Sequence, residues 1–362
     1  MAALAGGSFQ KWYSADLWYD GERRLQDVPV KISRLSDDDS RAVKTQGTAT
    51  LTWTDDYGRS MLPVAAGDLF SPFGSELAVY AIVNAGTLQE RIPMGWFQIT
   101  DVPSMRDRTM FWNNRTITTG STIEMALQDR LVQVQRQPFD VPSAPTILTS
   151  VWDEIGRVTG LQLSRTIADA IISRSVVYQE DRIQAVLDLA DILGGVPYMA
   201  PDGSLAMRPK VWGAVVDTLR RGDTGTIVSI GRGMSAEGVY NQVVFRGQDD
   251  LQGQVLAVSE IISGPLRTEN PGGGRSPAHR RPTFRSNQFV TTAGQAKAYT
   301  DSELARASLL SVRWPITEVW NPLREVGDVV NVVDEQGKTA LCRVVSIDRD
   351  EGPTQETAVI RA

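Results

Sequence analysis

Leu69–Val102 reads LFSPFGSELAVYAIVNAGTLQERIPMGWFQITDV, and its two apolar runs decide the fold class. Pro72 and Gly74 make a turn. Ser75 to Val83 then alternates and is rich in β-formers, as a strand is. Asn84-Ala85-Gly86 breaks the run, and Leu88 to Val102 returns as a second extended segment carrying Trp96, Phe97 and Ile99. The window holds no His or Cys, and its acids, Glu76, Glu90 and Asp101, are scattered. It reads as building material, not as a reaction site.

The same grammar extends in both directions. Lys11 to Asp20 is aromatic and alternating, Asp20-Gly21 turns, Val28 to Leu35 is a second strand, and Asp37-Asp38-Asp39 reads as a solvated loop. Gly47 to Thr54 carries threonines and Trp53 at strand spacing, and Asp55-Asp56-Tyr57-Gly58 turns again. Short strands joined by such turns predict a barrel or sandwich. The pattern changes at Ser121-Thr122-Ile123-Glu124, which reads as a capping box, with Ile123, Leu127, Leu131 and Val134 on one helical face. Pro138, Pro142 and Pro145 mark a linker. Leu148, Val151, Ile155 and Val158 form a second helical stripe closed by Gly160. Ile183, Val186, Leu187, Ala190 and Leu193 form a third, over about 180–193, closed by Gly194-Gly195. Leu187 is expected to be buried there against a hairpin from Val196 to Arg208 that turns at Pro201-Asp202-Gly203.

Strand character resumes at Thr226 to Ile230 and Tyr240 to Arg246. Gly264 to Ser286 is rich in Pro, Gly and Arg and is expected to be a mobile loop. Thr291 to about Val312 reads as a helix through Ala296, Tyr299, Leu304, Ala307 and Leu310. Asn321 to Val330 turns into a strand, and Leu341 to Ile347 and Glu356 to Arg361 are the last two.

Composition narrows the chemistry. The chain has 362 residues, length enough for two or three domains, with 37 basic and 43 acidic side chains and a net charge of −6. A mildly acidic chain argues against nucleic-acid binding as its main task. One cysteine, Cys342, rules out an intrachain disulfide framework. One histidine, His279, removes most His-based catalysis and zinc chemistry. MAALAGGSFQKW has no secretory pattern, and no run approaches the ~20 apolar residues of a membrane span, so the expectation is a protein without membrane insertion.

Each remaining feature has a plain reading and a sharper one. His279 lies in a Ser-Pro-Ala-His-Arg-Arg-Pro loop without a partner at metal spacing, and Cys342 reads as a small buried strand residue. Only a meeting of that strand and that loop would make a Cys–His nucleophile. Gly231-Arg232-Gly233 with Gly238 lacks the strand–turn–helix setting of a phosphate cradle. Asn114-Arg115-Thr116 is a sequon without a secretory context. Arg267, Arg275, Arg280, Arg281 and Arg285 are either a solvated loop or a contact to an acidic surface or DNA. Asp249-Asp250 cannot be singled out as a glycosidase pair among so many acids. Trp12, Trp18, Trp53, Trp96 and Trp112 could stack sugars or fill a core. The expectation is no catalytic, cofactor-binding or metal residue.

Three separated segments resemble one family. Pro72-Phe73-Gly74-Ser75-Glu76 and Ile92-Pro93-Met94-Gly95-Trp96-Phe97-Gln98-Ile99 resemble the lead-in strands of the first barrel of phage tail-tip hub proteins. Tyr178, Glu180, Asp181, Arg182, Gly194, Gly195, Asp202 and Gly203 look like the small α/β insert of the late-control-gene-D type hubs. Asn321-Pro322-Leu323-Arg324-Glu325-Val326-Gly327-Asp328 resembles the opening of their second barrel. The resemblance implies a mainly β chain with an α+β insert: a first β-barrel over 1–120, a helix-plus-hairpin domain over 121–222, and a second β-barrel over 223–362. It further implies a non-enzymatic baseplate hub, a minor tail protein at the virion tail tip, assembled in the host cytoplasm. Such a hub is a homotrimer whose ring adapts a six-fold tail tube to a three-fold tip. Its partners would be the distal tail protein, the tape measure and central fibre or receptor-binding proteins, and DNA would pass through its channel without specific binding. The alternatives are a tail-associated cell-wall hydrolase, disfavoured by the end of the chain directly after its last strand, and a carbohydrate-binding module.

Overall fold

The computed structural model describes residues 9–54, 57–174, 176–223, 225–231, 233–234, 239–248, 253–287, 290, 292–309 and 312–361. Strands dominate. β1 (Gln10–Tyr19), β2 (Glu22–Asp38), β3 (Thr45–Trp53), β4 (Ser75–Ala85), β5 (Leu88–Trp112) and β6 (Arg115–Asp129) come first. Helices α1 (Leu131–Arg136), α2 (Val151–Thr159) and α3 (Arg182–Ile192) follow, then the hairpin β7 (Gly195–Met199) and β8 (Leu205–Pro209). The remainder is β9 (Val215–Leu219), β10 (Ile227–Ile230), β11 (Gly233–Met234), β12 (Gln242–Gln248), β13 (Gln254–Glu260), β14 (Pro282–Arg285), α4 (Ala293–Leu309), β15 (Val312–Val319), β16 (Val329–Val333), β17 (Thr339–Arg349) and β18 (Thr354–Arg361).

The first six strands lie in the order β1-β4-β5-β6-β3-β2, and β2 pairs back to β1. The sheet therefore closes, which leaves strand edges unpaired within the barrel only toward strand ends, such as that of β2. Alternation along each strand turns one face inward, where Leu17, Leu51, Leu77, Phe97, Ile99 and Ile123 are all but fully buried. Each such side chain contributes roughly 1.5–3 kcal/mol on leaving water.

β6 corrects the sequence reading. Residues 121–129 are a strand and not a capped helix. Ile123, Met125 and Leu127 are buried, while Thr122, Glu124 and Ala126 between them are not. A spacing of four suits both a helix and a strand, because four is also a multiple of two. The Ser121 hydroxyl donates to Asp107 (2.7 Å) and accepts from Met61 N–H (3.0 Å), so it caps nothing. Only α1 is helical in this stretch.

The insert holds a separate core around Trp152, Ile155, Tyr178, Val186 and Leu189. Ser150 caps α2 and Gly160, at φ +67°, ends it in the left-handed conformation. Asp181 caps α3 by accepting from Ile183 and Gln184 N–H. On α3 the buried stripe is Ile183, Val186, Leu189 and Ala190; Leu187, expected inside, is only half-buried. Glu154 is fully buried, and it is held by Arg157 and by the Tyr178 hydroxyl (3.0 Å).

The second barrel has the order β9-β16-β17-β18-β15-β10, with β11 continuing β10 along β15. Taken in chain order, the six positions match those of the first barrel one for one. Two differences stand out. β9 runs parallel to β16, whereas β1 runs antiparallel to β4. Among the described residues, the seam between β9 and β10 carries one backbone bond, from Ile227 N–H to Arg220 C=O (3.1 Å), in place of a ladder. The expected boundaries at 120 and 222 fall inside these strand-bearing regions, since β6 runs to Asp129 and β9 begins at Val215.

Between β11 and β15 the chain makes a three-stranded sheet, β13-β12-β14, with α4 on one face. The helix expected near 291–312 is α4; residues 291, 310 and 311 lie outside the described residues. The segment expected to be a mobile loop, 264–286, holds β14 and several ties. Asn241 donates to the carbonyls of Leu266 and His279, and accepts from Arg281 N–H.

Candidate assembly surface

The two barrels are joined edge to edge. Leu35–Asp38 at the end of β2 pairs antiparallel with Ser346–Arg349 at the end of β17. The insert is tied to this same place. Arg208, at the end of β8, reaches Asp37 (3.4 Å) and Asp39 (3.3 Å) and stacks on Tyr198 (4.1 Å). Arg343 of β17 donates to the carbonyls of Pro209 (3.0 Å) and Lys210 (2.8 Å). The Asp37-Asp38-Asp39 run is thus no free loop; it ends β2 and anchors the three parts.

Burial sets the electrostatics of the junction. It pushes the Lys44 ammonium and the Arg349 guanidinium down from their ordinary values, and Lys44 answers by donating to Asp39 C=O (2.8 Å). For Arg324 burial acts the same way, but Glu318 and Asp217 (2.7 Å) outweigh it and hold the charge. Asp129, wholly buried, is pushed up to about 7 by burial, against the N–H groups of Thr45 (2.7 Å) and Leu131 (2.9 Å) that donate to it. Three residues of the sequence motifs meet around Arg130. Glu76 takes a two-pronged ion pair from Arg130, whose guanidinium covers Trp96 (4.3 Å) and donates to Gly203 C=O (3.1 Å). Gly203, at φ +84°, sits so close to Trp96 that a Cβ would stand 2.7 Å from the ring.

Among the described residues, none of the reactive readings gathers a site. Cys342 is fully buried in the second core and its thiol is pushed up to about 11 by burial, the opposite of an activated nucleophile. His279 lines a pocket of about 540 Å³ with Thr268, Glu269, Arg275 and Arg280, away from that core. The arginines of the loop are largely engaged within the chain: Arg267 with Asn270, Arg280 with Glu269 and Glu260, Arg285 with Glu303. Gly233 belongs to β11, not to a phosphate cradle; Arg232 and Gly238 lie outside the described residues, as do Asp249 and Asp250. Asn114 turns the tip of the β5–β6 hairpin with φ +63°. Trp18 and Trp96 pack together (5.1 Å) and Trp53 lies against the first core, whereas Trp12 and Trp112 are exposed. Among the described residues no group of His, Cys, Asp and Glu could hold a metal ion, and no helix is long and apolar enough to cross a membrane.

What the molecule does present is open apolar surface on β-structure. Past Asp107, opposite Ser121 where β3 ends, β5 and β6 run on as a two-stranded arm carrying Met110, Phe111 and Trp112, the last two 68% and 59% exposed, and Met105 is exposed on β5 just before it. At the seam of the second barrel Val215, Val216 and Val228 face solvent. On the sheet under α4, Leu256, Val258 and Phe284 do so. Sequence reading missed this arm; the length of the β5 run beyond Val102 was its one signal.

No protein-family model and no curated protein matches the chain. Solved structures do. Over 97% of both chains it superposes on the tail protein of Neisseria meningitidis MC58, with a TM-score of 0.61 at 13% identity. Over 96% of this chain and 98% of the other it superposes on the 43 kDa tail protein of prophage MuSo2 from Shewanella oneidensis, with a TM-score of 0.58 at 15% identity. The fold is that of phage tail proteins, the class to which the turn and strand motifs pointed.

Proposed function

We propose that this chain is a structural, non-enzymatic subunit of a phage tail tip: a hub whose three copies close into a ring of six barrels around a channel. The observation that carries this reading is the repeat of one strand order in two barrels laid edge to edge within one chain. Two like units per chain and three chains present six near-equivalent positions to a six-fold tube while keeping a three-fold tip. A head-to-tail contact that closes into a ring gives a finite assembly instead of a filament. The parts are a first barrel to about 129, an insert to about 214, and a second barrel beyond it. The partners are the distal tail protein and tape measure on one side and a central fibre or receptor-binding protein on the other. An acidic chain suits a channel that DNA must leave without sticking. Assembly takes place in the host cytoplasm.

Counting copies tests the stoichiometry. Quantitative mass spectrometry of purified tails should give half as many copies of this chain as of a protein forming one six-fold tube ring. Equal numbers would contradict the hub reading.

A further inference from the structure

The junction between the barrels inside one chain also says which strands meet between chains. In chain order β1, β2, β3, β4, β5 and β6 of the first barrel correspond to β9, β10–β11, β15, β16, β17 and β18 of the second. The intrachain junction joins the second position of the first barrel, β2, to the fifth of the second, β17. If the barrels alternate around one axis, the next junction joins the second position of the second barrel to the fifth position of the first barrel of the neighbour. We infer that the chain-to-chain contact is a strand ladder between the β10–β11 edge of one copy and the β5 edge near Asp101–Ser104 of the next. This rests on the ring reading above and adds the surfaces that make it.

Three details support the match. First, both edges are open. β4 covers β5 only from Leu88 to Gln98; from Asp101 onward β5 has β6 on one side and, among the described residues, no strand on the other. Among the described residues, β10 and β11 pair as strands with β15 alone. An open strand edge is a template for pairing. Second, the same handover occurs in β17: β16 covers Thr339–Arg343, and β2 takes the edge from Ser346.

Third, a bulge marks the handover in both barrels. The β17–β18 register shifts between Val344, opposite Val359, and Ser346, opposite Ala358. The β5–β6 register shifts between Ile99, opposite Leu127, and Asp101, opposite Ala126. Each shift falls at the same distance from the end of its partner ladder, at Arg361 and Asp129 respectively. A bulge bends a strand and re-aims its edge, so a bulge at one place in both barrels turns both edges to a similar neighbour. Asp101 then corresponds to Ser346. On the other side Met234, opposite Val312 at the start of β15, corresponds to Asp37, opposite Thr45 at the start of β3. Asp37 pairs with Ile347, so Met234 should face Val102. Pro103 donates no N–H and shortens this ladder.

Paired cysteines test the contact in assembled tail tips. Cys342, the one native thiol, is buried. Val102→Cys with Met234→Cys places the two thiols opposite one another, and Ser104→Cys with Met234→Cys places them on a diagonal of the ladder, within roughly 8 Å in a β-pair. A short bismaleimide should shift the chain from the monomer band to covalent dimer and trimer in at least one double variant, and in no single variant. Imaging of the same particles keeps the two claims apart. Three copies in a ring, with only monomer from both double variants, would overturn this contact and leave the ring standing. No ring at all would overturn both.

Discussion

The two barrels of this chain share a strand order and differ in how they are held shut. The first closes by a β1–β2 ladder, bulged on either side of Leu17, around a core with Tyr13, Phe70, Phe97 and Trp320 among its aliphatic side chains. The second has, among the described residues, one backbone bond across its seam and surrounds a smaller core of mostly valine and isoleucine, with Trp314 its one aromatic ring. Beside that core stands a buried ion cluster: Arg324 with Asp217 and Glu318, the latter also accepting from Gln355 and Thr357. One topology can thus be stabilised mainly by apolar burial or with a large share of buried charge. The two carry different vulnerabilities, because an unpaired buried charge is costly while an apolar cavity is costly in proportion to its volume.

The largest expected effects test that contrast directly. Phe97→Ala in the first barrel should cost ~3–5 kcal/mol in urea denaturation, through lost burial and a cavity. Arg324→Ala in the second should cost a similar ~3–5 kcal/mol by stranding Glu318, whereas Arg324→Met together with Glu318→Leu should recover most of it. If the double variant is as unstable as the single one, the cluster is not the cause and the contrast breaks.

A somewhat smaller pair sharpens the view of the insert. Leu189→Ala should cost ~2–5 kcal/mol, as a fully buried leucine does, and Leu187→Ala under ~1 kcal/mol. The reverse order would mean that α3 packs on the opposite face.

The next effect depends on pH. Asp129 ends the sixth strand of the first barrel, where the second barrel has Arg361. Its carboxyl titrates near 7 in the folded chain against 3.8 for the free group. Between those values the unfolded chain has released a proton that the native chain keeps. Stability therefore falls as pH rises from about 4 to about 7, and this contribution is flat above 7. The fall should be on the order of a few kcal/mol, and Asp129→Asn should flatten it. An unchanged slope in that variant would assign the effect to other buried acids such as Asp188, which burial raises to about 6.

Much of this architecture was legible in the sequence. The β4–β5 pair, the capped α2 and α3 and the β7–β8 hairpin follow from periodicity and turn chemistry. The failures have physical causes. Residues 121–129 carry a spacing that two periods share. β14 hides in a run of Pro, Gly and Arg, because its partner strand and Asn241, not its own composition, hold it. Leu187 satisfied the helical stripe by spacing alone, but the sequence does not say which side the neighbouring core lies on. Asp37 and Asp39 looked solvated because their partner, Arg208, comes from a distant hairpin. The correspondence of the barrels lives in strand order and bulge position, which pairing reveals and residue identity does not.

The central claim is that the two barrels occupy alternating, near-equivalent places around one axis. An electron-microscopy map of the intact tail tip, at a resolution that separates chains, tests it most directly. It should show three copies in one ring, with six barrels alternating first and second. Six copies in a ring, or copies placed off the central axis, would contradict it.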